Sequence, residues 1–516
     1  MNNRQLNAVD LGVFSNRLEA VCDEMGAVLQ RSAFSPNIKD RLDFSCAVFD
    51  VDGGLSAQAA HIPVHLGSMA YAMKDIISQC QWAEGDMVVV NDPFMGGTHL
   101  PDVTVIAPVF VENTLVAFIA NRAHHANIGG SSPGSMPISK TLSEEGVIIS
   151  PTHLMRGGEW VTALLEMLGE DIDQGDFAAQ VSANKIGVAR LCGLITTTGY
   201  SRYDQALEQL NAYGERLARY HLASIPEGCY RFTDVMDDDG AGLENIPITV
   251  ALTVSGAGIC ADFEGTAGQV QGNINCPLSV AAAAVFYVFR CLMPRHTPCC
   301  AGVFKPIVLK APKGSLVNAE YPAAVAAGNV ETSTRIADVV LGALAKALPQ
   351  NIPAASHGSM NNVAMGAAAC GLNKRWDYYE TIGGGMGASA AGAGLSGVQT
   401  HMTNTLNTPV ESLEMHYPLR VLSYQLRQNS GGSGYYSGGE GIIREFEFLQ
   451  PASVTLLTER RNNTPWGLAG GDSGCVGENT LNGITVGGKC ELQVQMGDRL
   501  RIASPGGGGW GDKGKH

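Results

Sequence analysis

His99, Asp102 and His124 are the side chains whose types and spacing most directly suggest chemistry. They sit in NDPFMGGTHLPD and NRAHHAN, which flank two apolar runs, 103–111 and 115–120. Two β-rich runs around the polar break Glu112-Asn113-Thr114 predict a β-hairpin. A three-residue loop sets Val111 opposite Leu115 and, counted back along both strands, Asp102 opposite His124. A two-residue loop makes the partner Ala123 instead. Either register brings an aspartate and a histidine to the open end of the hairpin, with His99 just upstream. Pro101 argues against a helix there, so His99 and Asp102 approach through a turn. Neighbours in extended chain face opposite sides, so only one of His124 and His125 joins Asp102, and His124 is preferred. Two imidazoles and a carboxylate beside glycines form a plausible divalent-metal site with open positions. The plainer alternative is a set of ordinary core or surface histidines.

Several elements must hold these residues. Phe14, Leu18, Val21, Met25, Val28 and Leu29 recur at helical spacing. Ser35-Pro36 ends that helix, and residues 44–51 read as a strand closed by the turn Asp52-Gly53-Gly54. Asp43 stands at the start of that strand, as Asp102 does in the hairpin. Strand starts along one sheet edge can collect ligands from separate segments. His61 and His65 are spaced to share a helix face, but Pro63 between them weakens a helix and no third partner is near. They rank as supporting residues at best, ahead of a helix over 68–77. The segment GGSSPGSM (129–136) reads as a flexible loop able to cover a site as a lid.

Helical pattern fills much of 159–220, and strand texture begins near Tyr230. Asp237-Asp238-Asp239-Gly240 lacks EF-hand spacing and reads as an acidic hairpin turn. Helices return over 277–293 and 328–348, the second with Asn329 as N-cap and Glu331 in its first turn. Segments 356–362, 378–389 and 401–411 are rich in glycine and small polar residues. Glu380 and His401 are the titratable groups there to test for a pocket role. From about Gly431 the pattern is β. The whole reads as a large, multi-layer α+β chain with mixed and antiparallel sheets, helical packing segments and a β-rich C-terminal region. Three domains are expected: 1–229 with the metal site, 230–430 as a central α+β domain, and 431–516.

Composition narrows the function. Apolar residues make up 45% and charged residues 16% of 516, an ordinary globular balance with room for a large core. Glycine, at 63 residues, is roughly 12% against an average near 7%, without a collagen-like period, so tight turns and close backbone approaches are expected. A net charge of −15 and no Lys/Arg cluster argue against nucleic acid. Thirteen cysteines without a C-x-x-C pair argue against a disulfide framework, and Cys299-Cys300 reads as two small residues in a loop. No signal-peptide core opens the sequence, and its longest apolar run, 280–289, falls short of the roughly 20 residues needed to span a bilayer. A soluble, cytoplasmic protein is expected. SPGGGGWGD near the end is not a Walker loop, so this chain is not expected to bind ATP tightly.

NDPFMGGTHLPD and NRAHHANIGG, with SPNIKDRLDFSCAVFD, GNINCPLSV, AGNVETSTRIADVVLGALAKAL, MTNTLNTPVESLE and SPGGGGWGD, resemble the hydantoinase B family along nearly the whole chain. That family is also called the B subunit of hydantoinase/oxoprolinase. The caprolactamase beta and acetone carboxylase alpha subunits are similar. The resemblance implies a metal held by His99, Asp102 and His124, completed by an upstream aspartate, Asp43 or Asp40, with Asp43 preferred. Zinc is the first expectation, with manganese or iron as alternatives. It also implies an ATP-binding hydantoinase A-type partner of the sugar-kinase/actin-like class, using ATP and Mg²⁺, in a hetero-oligomer such as a dimer of heterodimers. The partner would phosphorylate the carbonyl oxygen of a small cyclic amide, and this chain would hydrolyse the product. Bound metal lowers the pKa of water to about 7. A ketone carboxylase subunit and a non-catalytic scaffold are the alternatives. Acetone carboxylase alpha chains are longer, which favours the hydrolase.

Overall fold

The computed structural model describes residues 6–59, 62–169, 172, 174–369 and 375–514. Its first half is built on a seven-stranded antiparallel sheet: β1 (Phe44–Asp50), β2 (Leu55–Gln58), β3 (Met87–Val90), β4 (Asp102–Val111), β5 (Thr114–His124), β6 (Thr152–Arg156) and β7 (Glu159–Trp160), in the order β2-β1-β5-β4-β3-β6-β7. Helices α1 (Ala8–Ser32), α2 (Pro36–Lys39), α3 (Pro63–Ser78), α4 (Thr162–Leu168) and α5 (Gln174–Thr198) belong to the same half.

Both faces of the sheet are covered, which explains why its strands read as unbroken apolar runs rather than alternating ones. Cys46 and Val48 of β1 face Leu18, Val21 and Cys22 of α1, while Ala47 and Phe49 face Met69, Met73 and Ile76 of α3. Helix α5 is fixed to the hairpin by buried amides. Gln180 donates to the Val103 carbonyl, Asn184 to that of Val105, and Asn121 to both helix residues.

The hairpin keeps the register that pairs Asp102 with His124, but not by the expected turn. The turn has two residues, Glu112 and Asn113, both at positive φ (50° and 63°) as a type I′ hairpin requires. A bulge between Val109 and Phe110 then shifts the pairing by one, so the open end recovers the three-residue-loop register. Pro63 occupies the first turn of α3, where its missing N–H costs nothing, so it starts the helix rather than weakening it. His65 follows in that turn, and His61 lies outside the described residues.

Beyond α6 (Tyr200–Leu222), a four-stranded sheet of β8 (Gly228–Asp238), β9 (Glu244–Ser255), β10 (Gly258–Asp262) and β11 (Ile307–Lys310) packs under α8 (Ser333–Ala347), which lies against α7 (Leu278–Cys291). The acidic turn after β8 is a turn: Asp239 accepts from the Ala241 and Leu243 amides. Two further sheets, of four and five strands, form most of the C-terminal part, giving the α+β class and β-rich end expected. The described cysteines are free thiols, and no helix among the described residues is long and apolar enough to cross a membrane.

SPGGGGWGD is a steric device. Its glycines lie in a layer of backbone strands bonded to one another: Gly507 donates to Gly439, Gly508 to Ala355, Gly509 to Asp472, and Gly432 to Gly507. A Cβ on Gly506, Gly507 or Gly508 would sit 1.9–2.1 Å from a carbonyl oxygen of Ser430, Met386 or Trp466. Only hydrogen fits.

Candidate metal centre

β4 and β5 deliver Asp102 and His124 side by side, and the turn through Thr98–Pro101 delivers His99. All three are buried, at 0–2% exposure, and their ligand atoms lie within 4.8 Å of one another. The Asp102 carboxylate divides its work. Oδ2 accepts from Thr98 Oγ1 (2.6 Å) and Asn329 Nδ2 (3.2 Å) and meets His65 Nε2 at 3.1 Å. Oδ1 lies 3.2 Å from both His99 Nε2 and His124 Nδ1. One oxygen anchors the group and the other faces the two imidazoles.

The donor set fits a cation. His99 Nδ1 lies 3.2 Å from the Ala326 carbonyl, which can only accept, so Nδ1 carries the proton and Nε2 presents a lone pair. That lone pair faces a carboxylate oxygen without a hydrogen bond, and Nε2 of His124 is likewise buried with no hydrogen-bond partner among the described residues. Buried polar atoms are rarely left so without an ion or water. Burial opposes charge on Asp102, yet His99, His65 and the hydrogen bonds from His124 and His65 hold its carboxyl well below the usual carboxylate range. Burial also opposes charge on His99, but the adjacent Asp102 carboxylate raises it above the ordinary value. The field that favours a proton on His99 favours any cation set between them. Burial pushes His124 down, towards the neutral ring a metal requires.

Asp43 reaches the same small cavity, of about 20 Å³. Its carbonyl accepts from the His124 amide, since β1 pairs with β5, and its carboxylate lies 3.7 Å from Arg41, outside the three-residue set. Asp40 is partly exposed and lines no part of this cavity. His125 faces the other side of β5 and bonds Gln180 at 2.9 Å.

Three supporting residues escaped or were undervalued by sequence reasoning. His65 grips Asp102 from the first turn of α3, with Ser45 Oγ 3.3 Å from its Nδ1. Asn329 is not an N-cap: residues Gly328–Thr332 form a π-helical turn, a feature often found at functional sites, which turns its amide onto Asp102. Tyr379 stacks on His124, ring centroids 4.7 Å apart at 11°, and is fixed by Asn362 at 2.6 Å. The 129–136 segment is pinned over the site at Ser135 and Gly134. Ser135 Oγ accepts from the Ile128 and Gly130 amides, and Gly134 packs against Tyr379.

His401 and Glu380 part company. Glu380 is locked in a buried bidentate pair with Arg444, at 3.2 and 3.3 Å, and lines none of the described cavities. His401 lines a larger cavity beside the metal centre.

Comparison with known proteins agrees with this architecture. Residues 7–513 match the family described as Hydantoinase B/oxoprolinase. The chain is similar to 5-oxoprolinase 1 of Arabidopsis thaliana (39% identical, covering 98% of this chain and 42% of that protein). It is also similar to an uncharacterized protein of Methanocaldococcus jannaschii (37% identical, 98% and 91% covered). The structure resembles the ATP-dependent caprolactamase from Pseudomonas jessenii with a TM-score of 0.90 and 27% identity, covering 99% of this chain and 92% of that one. The chain therefore spans less than half the length of the plant 5-oxoprolinase it matches.

Proposed function

We propose that this chain, which belongs to the hydantoinase B/oxoprolinase family, is the metal-bearing hydrolytic part of an ATP-dependent cyclic amidase. The observation that carries the reading is the buried His99–Asp102–His124 cluster, whose imidazole Nε2 atoms have no hydrogen-bond partner among the described residues and suit a cation. The names of its relatives, 5-oxoprolinase and ATP-dependent caprolactamase, support a ring amide as the bond attacked.

A ring amide is a poor electrophile because resonance delocalises the nitrogen lone pair. An ATP-binding hydantoinase A-type partner, of the sugar-kinase/actin-like class, would transfer the γ-phosphoryl group to the carbonyl oxygen, using Mg²⁺. Water then adds to that carbon, the ring carbon–nitrogen bond breaks, and a second water releases phosphate from the acyl phosphate left behind. His99, Asp102 and His124 would hold a divalent ion, zinc first by family resemblance, with Asp43 as a fourth ligand or general base. When bound, such an ion supplies Lewis acidity and makes water a nucleophile at neutral pH. The chain's own residues do the positioning. Ala326 fixes the His99 tautomer, Thr98, His65 and Asn329 fix the carboxylate, and Tyr379 fixes the plane of His124. The setting is cytoplasmic, in a hetero-oligomer with the partner.

The test is product formation by the complex with its ATP-binding partner, on a panel of 5-oxoproline, hydantoin and ε-caprolactam. His99→Ala and His124→Ala are expected to abolish ring opening while the complex stays assembled. Full activity in both variants refutes the assignment.

A further inference from the structure

Glu145 is a fully buried acid that no step above uses. It lies in SKTLSEEG (139–146), between the hairpin and β6. Three donors converge on its Oε1: Ser139 Oγ at 2.7 Å and the Val325 and Ala326 amides at 2.8 and 2.9 Å. Oε2 is buried with no hydrogen-bond partner among the described residues. Burying a carboxyl against neutral donors is costly, and what this one secures is a short piece of backbone.

That backbone carries two of the groups that hold the metal ligands. The Ala326 carbonyl accepts from His99 Nδ1 at 3.2 Å, and Asn329, three residues on, donates to Asp102 at 3.2 Å. Both contacts issue from one turn, 325–329. Asn273 holds its other side, the Asn273 carbonyl accepting from the Ala327 and Gly328 amides at 3.0 Å. Segment 139–145 is itself tied to the residues leading into the turn: Leu142 donates to the Pro322 carbonyl, and Thr141 bridges Ala323. Gly328 has no room for a side chain, since a Cβ would lie 1.8 Å from the Asn275 carbonyl oxygen. The turn is clamped on both sides, and Glu145 supplies the clamp on Ala326 itself.

We propose that Glu145 is a positioning residue of the metal centre: Oε1, through the Val325 and Ala326 amides, sets where the Ala326 carbonyl stands and so where the His99 Nε2 lone pair points. Its hydrogen bonds go to none of the three ligands, and it acts by reach rather than by charge. This role rests on the metal reading above.

Two variants of the full-length chain separate reach from charge. Glu145→Gln keeps an oxygen acceptor at the same reach without the charge. Glu145→Asp keeps the charge and draws it back by one carbon–carbon bond, about 1.5 Å. Each chain is loaded with zinc and, separately, with cobalt(II). The readouts are chelator-competition affinity, at a temperature where melts show the chain folded, and the visible absorption bands of cobalt, which report the geometry of its ligands. Glu145→Asp should bind metal about tenfold more weakly, the lower end of the loss for a supporting contact, and alter the cobalt bands. Glu145→Gln should match wild type in both. Wild-type affinity and bands in a folded Glu145→Asp chain overturn the role, because a residue serving only the fold lowers the melting temperature and leaves both readouts alone. A Glu145→Gln chain as weak as Glu145→Asp overturns it too, in favour of charge. Where Glu145→Asp does not fold, Ser139→Ala removes one of the three anchors of Oε1 and should weaken binding about threefold, with wild-type affinity there overturning the role. A wild-type chain that takes up neither zinc nor cobalt stoichiometrically overturns the metal reading itself, and this role with it.

Discussion

His65 offers the sharpest test of how the metal centre is held, because it bonds Asp102 Oδ2, the carboxylate oxygen that does not face His99 and His124. Asp102 Oδ2 has three partners: Thr98, Asn329 and His65. His65→Ala removes one of them and leaves two, so the carboxylate keeps its place but loses stiffness. Loss of one such supporting contact typically lowers metal affinity about 10–100-fold. With two partners retained, the lower end is expected, about tenfold or roughly 1.4 kcal/mol. A second substitution, Asn329→Ala, should deepen the loss, since both act on one oxygen and their effects couple. His99→Ala removes a ligand outright and should abolish stoichiometric binding. The measurement is a chelator-competition titration of the purified chain with zinc, manganese and iron, alongside thermal melts to confirm folding. Wild-type affinity in a folded His65→Ala chain, or a loss as complete as that of His99→Ala, refutes the assigned division of labour.

Burial first, and then the charge of Glu459, push the Glu331 carboxyl up to about 7. A raised acid stabilises the fold fully below its unfolded pKa and loses that contribution as pH climbs from about 4.5 to about 7, here about 3 kcal/mol. Glu331→Gln should therefore flatten the fall in melting temperature between pH 5 and 8, and an unchanged slope contradicts the shift. Arg444→Met leaves Glu380 buried and unpaired, at an expected cost of about 3–5 kcal/mol in chemical denaturation. Adding Glu380→Leu should recover most of it. Gly507→Ala forces a Cβ to 2.1 Å from the Met386 carbonyl and should destabilise by about 1–3 kcal/mol or more, whereas Gly392→Ala, which meets nothing within 4 Å, should stay within about 0.5 kcal/mol.

The site was legible in sequence where it is local. Asp102 and His124 are joined by a hairpin whose apolar runs and polar break are plain, and their register depends on strand counting alone. The right pairing came through a different turn, because a bulge in the middle of the strands leaves no reliable trace in an apolar run. His65 was undervalued because Pro63 was read as a helix breaker when it is a helix starter. Asn329 and Tyr379 belong to segments more than 200 residues away from the hairpin, and nothing in their local pattern says which surface they meet. Asn329 even carried a persuasive local alternative, an N-cap, which the π-helical turn displaces.

The glycine layer changes how loss-of-function screens on this protein should be interpreted. Met386 and Ser356 line the larger cavity, and residues 355–388 lean directly on the 505–508 backbone. Alanine there will cost activity by destabilising the fold, though these glycines offer no side chain to catalyse anything. A scan scored by turnover would therefore map a false second active site onto the tail. Scoring retained metal and folded yield in parallel separates the two classes: tail variants fail both, whereas His124→Ala loses metal and keeps its folded yield.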